Sequence, residues 1–312
     1  MDQIYHHGSK YIKAPFYHAF GNPDADLADT FSERSIERHA QKRRKVASLY
    51  SMSTLVSYEE FVDRCNTALS RKMDEFIRSG IAIPIPDWMQ YYAFDVIGEI
   101  SVGQPFGFLQ HGHDFNAILA AIHASMTYGS RIGLLSEIHP ILAWIAKTTK
   151  QPIPFDKVLA FINANIAARQ HGDLPTNRND FLTKLLALRK AEKISDLDVV
   201  TSLGANIAAG SDTTAISLST VIYQLARHPE IAQKLRHEIK ELDKAGSISD
   251  PVTFSEAQNM PYLQAVIKEA LRIHPATGQL LSRIVPPDGA TISGRFFAAG
   301  VSAKLHWLNQ PS

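Results

Sequence analysis

The sequence predicts a mainly α fold with a small β element. Apolar residues recur at steps of three and four along most of the chain, which is the helical periodicity. Strand signals are confined to the last thirty or so residues. Hydrophobic residues make up 45% of the 312 residues, enough to build a substantial core, so disorder and small disulfide scaffolds are excluded.

Charge and cysteine content restrict the classes of partner. Lysine plus arginine total 32 and aspartate plus glutamate 31, so the net charge is +1 and no global field attracts nucleic acid. The single cysteine, Cys65, cannot form an internal disulfide, which agrees with a reducing compartment. The sequence contains neither an apolar run of about 18 residues, as a transmembrane segment needs, nor a signal peptide. The chain as written is therefore predicted to be soluble and cytoplasmic.

The first long helix is predicted from Tyr58 to Phe76. Ser57 and Glu60 have the spacing of a capping box in front of it. A second helix is predicted from Phe155 to Ile166, and Gly172 ends it. Between the two helices, the segment 103–112 is predicted to be a connection. The apolar positions of the first helix are Phe61, Val62, Cys65, Leu69, Met73 and Phe76.

Prolines mark the later elements. Pro229 and Pro261 each stand at the first position of a predicted helix, and Pro275 ends the second of these helices. After a turn cluster at 286–289, Ala290–Phe297 is predicted to form a short hairpin.

Asp198–His228 is predicted to form an unusually long central helix. It has about thirty residues, against a mean of roughly 11–12, and its apolar residues occupy most of the circumference, so we expect burial. Its middle reads Ala208-Ala209-Gly210-Ser211-Asp212-Thr213-Thr214. Glycine costs about 1 kcal/mol relative to alanine, hydroxyls compete for the i−4 carbonyl, and a buried aspartate needs a partner. We therefore predict a local distortion at 210–214.

Two interpretations of this segment remain open. In one, it is a kinked core helix whose hydroxyls satisfy one another. In the other, Gly210 lets a flat ligand approach, and Asp212 and Thr213 relay protons beside it through water. Violations of local consistency concentrate at functional sites, which favours the second interpretation.

Glu269 and Arg272 form a second constellation. They stand at i and i+3 of one predicted helix, so their side chains can meet. An exposed pair would contribute very little, but apolar neighbours indicate a largely buried helix. We predict that both residues are buried and in contact, which is costly unless further hydrogen bonds complete the pair.

These segments together resemble the cytochrome P-450 family of haem–thiolate monooxygenases. Ala209–Thr214 resembles the [AG]-G-x-[DE]-T-[TS] motif of the family's central helix, and Lys268–Pro275 resembles its E-x-x-R helix, in the right order and spacing. His39–Arg43 resembles the [WH]-x-x-x-R helix that contacts the haem propionates, and Ser282–Pro286 resembles the segment with another propionate-binding arginine. The opening residues 4–17 are similar to fungal secondary-metabolite members.

The resemblance implies a haem cofactor, a small lipophilic substrate, and electrons from an NADPH-cytochrome reductase. It implies that Asp212 and Thr213 form a proton relay and that Glu269 and Arg272 form a structural ion pair. Intact relatives are expected at the endoplasmic reticulum membrane. The residues implied in cofactor binding are His39, Arg43, Ala209, Gly210 and Arg283.

The departures from the family pattern are equally specific. Residues 1–300 are predicted to be an incomplete domain of this architecture, lacking the N-terminal anchor and β region and the C-terminal cysteine-ligand loop, and 301–312 a divergent tail. Phe297–Gly300 matches the start of F-x-x-G-x-R-x-C-x-G, but Ser302 and Lys304 occupy the arginine and cysteine places. Cys65 lies on an apolar stripe, where a buried, inert thiol is expected.

No metal ligand is therefore assigned, and the chain as written is predicted to be inactive. The alternatives are a non-catalytic remnant and a haem-free helical binding protein.

Overall fold

The computed structural model of the protein describes residues 2–21, 28–150, 154–173, 178–279 and 281–303. Most of these residues are helical and the strands are short, which confirms the predicted fold class. The α-helices are α1 Asp2–Tyr5, α2 Ile36–Val46, α3 Met52–Val56, α4 Glu59–Ser79, α5 Ile85–Val102, α6 Phe108–His111, α7 Ile118–Ile132, α8 His139–Thr149, α9 Pro154–His171, α10 Phe181–Lys190, α11 Asp196–Arg227, α12 Pro229–Lys244, α13 Phe254–Gln258 and α14 Pro261–Ile273. The 3₁₀ helices are Pro15–Phe20, Ala47–Tyr50 and Gly133–Ile138.

Two small antiparallel sheets complete the described part. One has the order β1-β2-β5, and it joins the two ends of the described chain because Lys13 lies opposite Arg283 and Arg283 lies opposite Ala303. The other is the β3–β4 hairpin, as predicted from the turn cluster. The strands are β1 Ile12–Lys13, β2 Arg283–Ile284, β3 Ala290–Ile292, β4 Arg295–Phe297 and β5 Ser302–Ala303.

The long helix α11 is the axis of the core. Ser195 and Asp198 form a capping box at its start, and it ends immediately before Pro229 begins α12. Its face bearing Val199, Leu203 and Ile207 is buried in the main apolar cluster. Helices α5 and α14 both pack against α11, and α5 makes the more extensive contact.

An ion pair between Arg169 and Asp180 ties three helices together. The pair is 2.7 Å long, and the side chains are only 3% and 0% exposed. Arg169 also donates to the carbonyl of Val102 at the end of α5, and the carboxylate of Asp180 caps α10 by accepting from the backbone N–H of Thr183. Gly103 ends α5 at φ 79°, and a Cβ there would lie 2.4 Å from Asp180 Oδ2, so this position requires glycine.

Two local predictions are wrong. Helix α4 begins at Glu59 with Tyr58 as its uncapped N-cap, because Ser57 Oγ donates instead to the carbonyl of Thr54. The segment 103–112, predicted to be a connection, contains α6. The buried carboxylate of Asp95 accepts from the N–H groups of residues 107–109 and so stabilises this short helix.

The helices of the described ranges include none with the length and apolarity needed to cross a lipid bilayer.

Candidate haem-edge site

The motif segment of α11 is regular helix. Helix α11 runs unbroken from Asp196 to Arg227, so the predicted distortion at 210–214 is wrong. The hydroxyls of Ser211 and Thr213 donate to the carbonyls of Ile207 and Ala209, each at 2.8 Å. These side-chain bonds to i−4 carbonyls were expected. Because each carbonyl has a second lone pair, it can also accept the backbone hydrogen bond of the helix, and α11 stays regular.

Asp212 has the partner that a partly buried carboxylate needs. Its Oδ1 accepts from Gln90 Nε2 of α5 at 2.8 Å, and the residue is half-buried. Thr213 is exposed, and no hydrogen bond joins Asp212 to Thr213, both of which the structure describes. Consecutive helical residues do not face each other, so the two members of the predicted relay lie on different faces of α11.

Gly210, predicted to let a flat ligand approach the helix, packs against α5. A Cβ at this position would lie 3.0 Å from Ile97 Cδ1, so glycine lets α5 approach α11 closely. The space left by the missing side chain is therefore filled by Ile97. Ala209 and Thr213, one turn apart and both exposed, form the open face of the helix here.

The three residues predicted to bind propionates form one group, called the cationic group here, in which Arg43 and Arg283 carry the positive charge. His39 and Arg43 stand at i and i+4 of α2, and Arg283 lies on β2. Burial lowers the pKa of His39, and the charges of Lys13, Arg43 and Arg283 lower it further, while Glu33 opposes them. Charged side chains from near both ends of the described chain thus lower the pKa of one imidazole.

Arg283 is held by aromatic neighbours. Its guanidinium donates to Tyr17 Oη at 2.8 Å, and its Cζ lies 5.1 Å from the ring centroid of Tyr5 and 5.4 Å from that of Tyr17. Arg43 is exposed and has no ion pair or hydrogen bond with any described residue. The group therefore includes donors that protein acceptors do not use.

The Glu269–Arg272 pair is in contact, as predicted, but it is not buried. Two hydrogen bonds of 2.7 Å join the side chains, and the bond to Arg272 holds the pKa of Glu269 below its usual range. The arginine and glutamate side chains are 61% and 55% exposed, so the predicted burial is wrong. Within the described ranges α14 packs on α11, α12 and α13, which leaves this face open.

Glu238 of α12 was not identified from the sequence. Its two carboxylate oxygens accept from the backbone N–H groups of Tyr262 and Leu263, at 2.8 and 3.0 Å. A carboxylate at this position satisfies two free donors at the start of α14 and interacts favourably with the helix dipole. The helix that carries Glu269 and Arg272 is thus oriented by its neighbour.

Cys65 is a buried thiol, as predicted. It packs with Trp88, Met89 and Ala93 between α4 and α5. Burial raises the pKa of the thiol to about 12, and the charges of Asp95 and Glu99 add to this effect. The described residues contain no group of three or more His, Cys, Asp or Glu side chains able to hold a metal ion.

Comparison with known proteins places the chain in a family. The cytochrome P450 family model matches residues 2–306. A pisatin demethylase of Fusarium vanettenii is 37% identical over 97% of this chain and 59% of its own length. Cytochrome P450 monooxygenases of Aspergillus terreus and Aspergillus flavus are 33% and 32% identical, over 96% and 92% of this chain and 63% and 59% of their own lengths.

The chain thus spans about 60% of the length of these fungal relatives. The matched range 2–306 includes the open α11 face, the Glu269–Arg272 pair and the cationic group on α2 and β2. This chain is a member of the cytochrome P450 family.

Proposed function

We propose that the chain is the part of a haem-dependent monooxygenase that holds the haem edge and relays protons, and that these 312 residues do not themselves catalyse monooxygenation. His39 and Arg43 lie one turn apart on α2, and the charge of Arg283 on β2 also acts on His39; this arrangement supports the first half of the proposal. The environment of Cys65 carries the second half.

The donor set fits the carboxylates of a haem edge. Haem has two anionic propionates, and guanidinium groups bind carboxylates through directed, charge-assisted hydrogen bonds. Arg43 and Arg283 are permanently charged, and His39 supplies a further ring N–H. The exposed Ala209 and Thr213 leave room for a flat group against α11.

The donor set does not fit the iron. Thiolate ligation is the electronic feature with which this class of haem protein cleaves the O–O bond. The sequence has one cysteine, Cys65 of α4. Its thiol is buried beside Trp88 of α5, and burial raises the pKa of the thiol to about 12. No axial ligand comes from this residue, and no catalytic step is derived for the chain.

For the relay, Thr213 and Asp212 have complementary capacities. The hydroxyl of Thr213 donates to Ala209 and keeps its lone pairs free to accept from a water on the open face. Gln90 donates to Oδ1 of Asp212, which leaves Oδ2 as a second acceptor. Because the side chains lie on different faces, at least one water must connect them, which is compatible with general acid–base transfer.

The partners follow from the family. We propose a small lipophilic substrate and electrons supplied by an NADPH-cytochrome reductase. Two of the relatives are pisatin demethylases, so oxidative demethylation is the first reaction to test.

The test is reconstitution of the purified chain with haem, followed by a carbon-monoxide difference spectrum of the reduced protein and a turnover assay with reductase. We expect haem to bind without a thiolate-type Soret band and without turnover. The Cys65→Ser variant is the matched control, and its spectrum should be the same as that of the wild type.

A thiolate-type band with turnover would overturn the proposed inactivity, and its loss in Cys65→Ser would identify the ligand. Failure of the chain to bind haem would overturn the haem-edge role and leave the haem-free binding protein as the better explanation.

A further inference from the structure

The first 3₁₀ helix packs against the end of α7 and against the third 3₁₀ helix. Two aromatic rings of the first helix lie over two glycines. A Cβ at Gly129 would lie 2.6 Å from Phe20 Cδ1, and a Cβ at Gly133 would lie 2.6 Å from Phe16 Cδ2. A larger residue at either position would displace a ring. We call this pairing of Phe16 and Phe20 with the two glycines the ring–glycine contact.

His139 begins α8 directly after the third 3₁₀ helix, and it has a buried ring nitrogen without a partner. The residue is 5% exposed. Its Nδ1 and Tyr128 Oη of α7 form a hydrogen bond of 2.8 Å, whereas Nε2 is buried and has no hydrogen-bond partner. An imidazolium is a donor at both nitrogens, so protonation would place a charged, unsatisfied N–H in the interior. The packed structure therefore favours the neutral imidazole.

The first 3₁₀ helix supplies part of the surroundings of His139. Burial lowers the pKa of His139, and the backbone of Gly21, immediately after Phe20, opposes this effect only in part, since it forms no hydrogen bond with Nε2. His18 of the same 3₁₀ helix is affected in turn. Burial lowers its pKa, and the charges of Arg34 and His139 lower it further. The charge on His139 and the position of the first 3₁₀ helix are thus coupled.

Within the described ranges, no acidic group offsets a charge at His139. The neighbour from the segment before α2 is a cation, since Arg34 Nη1 lies 3.2 Å from His18 Nε2. Burial raises the pKa of Tyr128, so its hydroxyl stays neutral. Arg131 of α7 and Glu137 of the third 3₁₀ helix are both exposed.

We propose that the ring–glycine contact is a pH-sensitive switch, in which protonation of the His139 imidazole releases the first 3₁₀ helix from α7. In the released state the imidazole reaches water and binds the proton that the packed state excludes. Because its pKa is lower in the packed state than the ordinary value of 6.5, the packed state loses stability as the pH falls below about 6.5. This inference does not rest on the proposed function, and its test uses no haem.

The test is backbone hydrogen exchange of the purified 312-residue chain at about pH 7.5 and about pH 5.5, followed by mass spectrometry and corrected for the intrinsic pH dependence of exchange. A released imidazole with a pKa of about 6.5 is mostly protonated at about pH 5.5, which can shift the opening equilibrium by at most about tenfold. We expect the protection of residues 15–21 and 129–133 to fall about fivefold, within that limit.

Three variants show which group is responsible. His139→Phe keeps a ring but removes the titrating nitrogens, so protection of the two segments should be equal at both pH values. His123→Phe is the matched control, because His123 is an exposed histidine of α7, and it should behave as the wild type does. His18→Gln removes the second imidazole and should keep most of the pH dependence.

Equal protection of the wild type at both pH values would overturn the proposal. A pH dependence that persists in His139→Phe, or that is lost in His18→Gln, would overturn the role of His139. A loss of protection spread over all helices would show acid unfolding of the whole chain and would also overturn the switch. If circular dichroism melts show that His139→Phe does not fold, His139→Gln, which is uncharged at both pH values, takes its place.

Discussion

Lys13 shows how burial and a like charge act on a single side chain. Both disfavour its ammonium form, and Asp29 and Glu33 only partly oppose them, so its pKa lies near 8 in place of 10.5. Between these two values the unfolded chain binds a proton that the folded chain does not. Folding stability contributed by this residue therefore rises with pH in that window.

We expect the unfolding free energy of the wild type, relative to that of Lys13→Met, to increase as the pH rises from about 7 to about 9.5. Below pH 8 the lysine is charged in both states, so its burial penalty is fully present, and above pH 8 the penalty is relieved. Urea unfolding midpoints at both pH values measure the difference. The exposed Lys10→Met is the control, and a difference that moves in favour of Lys13→Met at high pH would contradict the argument.

Two residues of the site could not be predicted from the sequence, for a common reason. Gln90 and Glu238 act on Asp212 and on the start of α14 from neighbouring helices, and neither residue lies in a recognisable motif. The need for a partner at Asp212 could be predicted from burial, whereas the identity of the partner depends on how α5 packs against α11. Periodicity specifies which face of a helix is buried, but not which polar side chain lies opposite.

Helices were predicted best where local chemistry marks their ends. Pro229 and Pro261 begin α12 and α14 as expected, since proline needs no hydrogen-bond acceptor for its nitrogen at the first position. Helix α6 was missed because its stability comes from the carboxylate of Asp95, twelve or more residues earlier. The burial of Glu269 was also predicted wrongly, because flanking apolar residues do not show what covers the face.

The two ion pairs should differ strongly in how much they contribute to the unfolding free energy. Asp180→Ala leaves Arg169 charged and buried and also removes the cap of α10, so we expect a loss of about 3–5 kcal/mol of unfolding free energy. Glu269→Ala removes an exposed partner, and we expect a much smaller change. Thermal and urea melts of the two variants, prepared in parallel, measure the contrast.

A loss for Glu269→Ala as large as that for Asp180→Ala would show that the pair is covered in solution. Asp180→Asn keeps the shape of the side chain and part of its hydrogen bonding, so an intermediate loss is expected for it.

The carboxylate of Glu238 should stabilise the start of α14. Glu238→Gln keeps one acceptor but removes the charge at the start of α14, which should cost about 0.3–1 kcal/mol. The backbone amides of Tyr262 and Leu263 should then exchange hydrogen faster, because these are the groups that Glu238 binds. Hydrogen exchange followed by mass spectrometry measures this, and unchanged protection in 261–263 would contradict the capping role.

The sheet β1-β2-β5 assembles the cationic group from distant parts of the chain. It brings Lys13 beside Arg283, and α2 supplies His39 and Arg43. Because strand pairing sets this juxtaposition, no local sequence pattern could have predicted that Lys13 lies beside Arg283. A resemblance finds only those residues that a known motif contains.

Helix α8 and the turn before it expose a large apolar surface. On α8, Ile141, Trp144 and Ile145 lie at i, i+3 and i+4, and Trp144 is 65% exposed. Leu134 and Leu135, just before this helix, are exposed as well. Contiguous apolar surface on a soluble protein promotes association.

We therefore expect the purified chain to self-associate through this face. The double variant Ile141→Gln/Trp144→Gln should lower the weight-average mass in sedimentation velocity and the fluorescence of a bound hydrophobic dye. Ile77→Gln is the matched control, since Ile77 is 72% exposed at the end of α4, outside the α8 surface, and its loss should change neither. Equal effects of the two variants would show that general apolar exposure, and not this helix, drives the association.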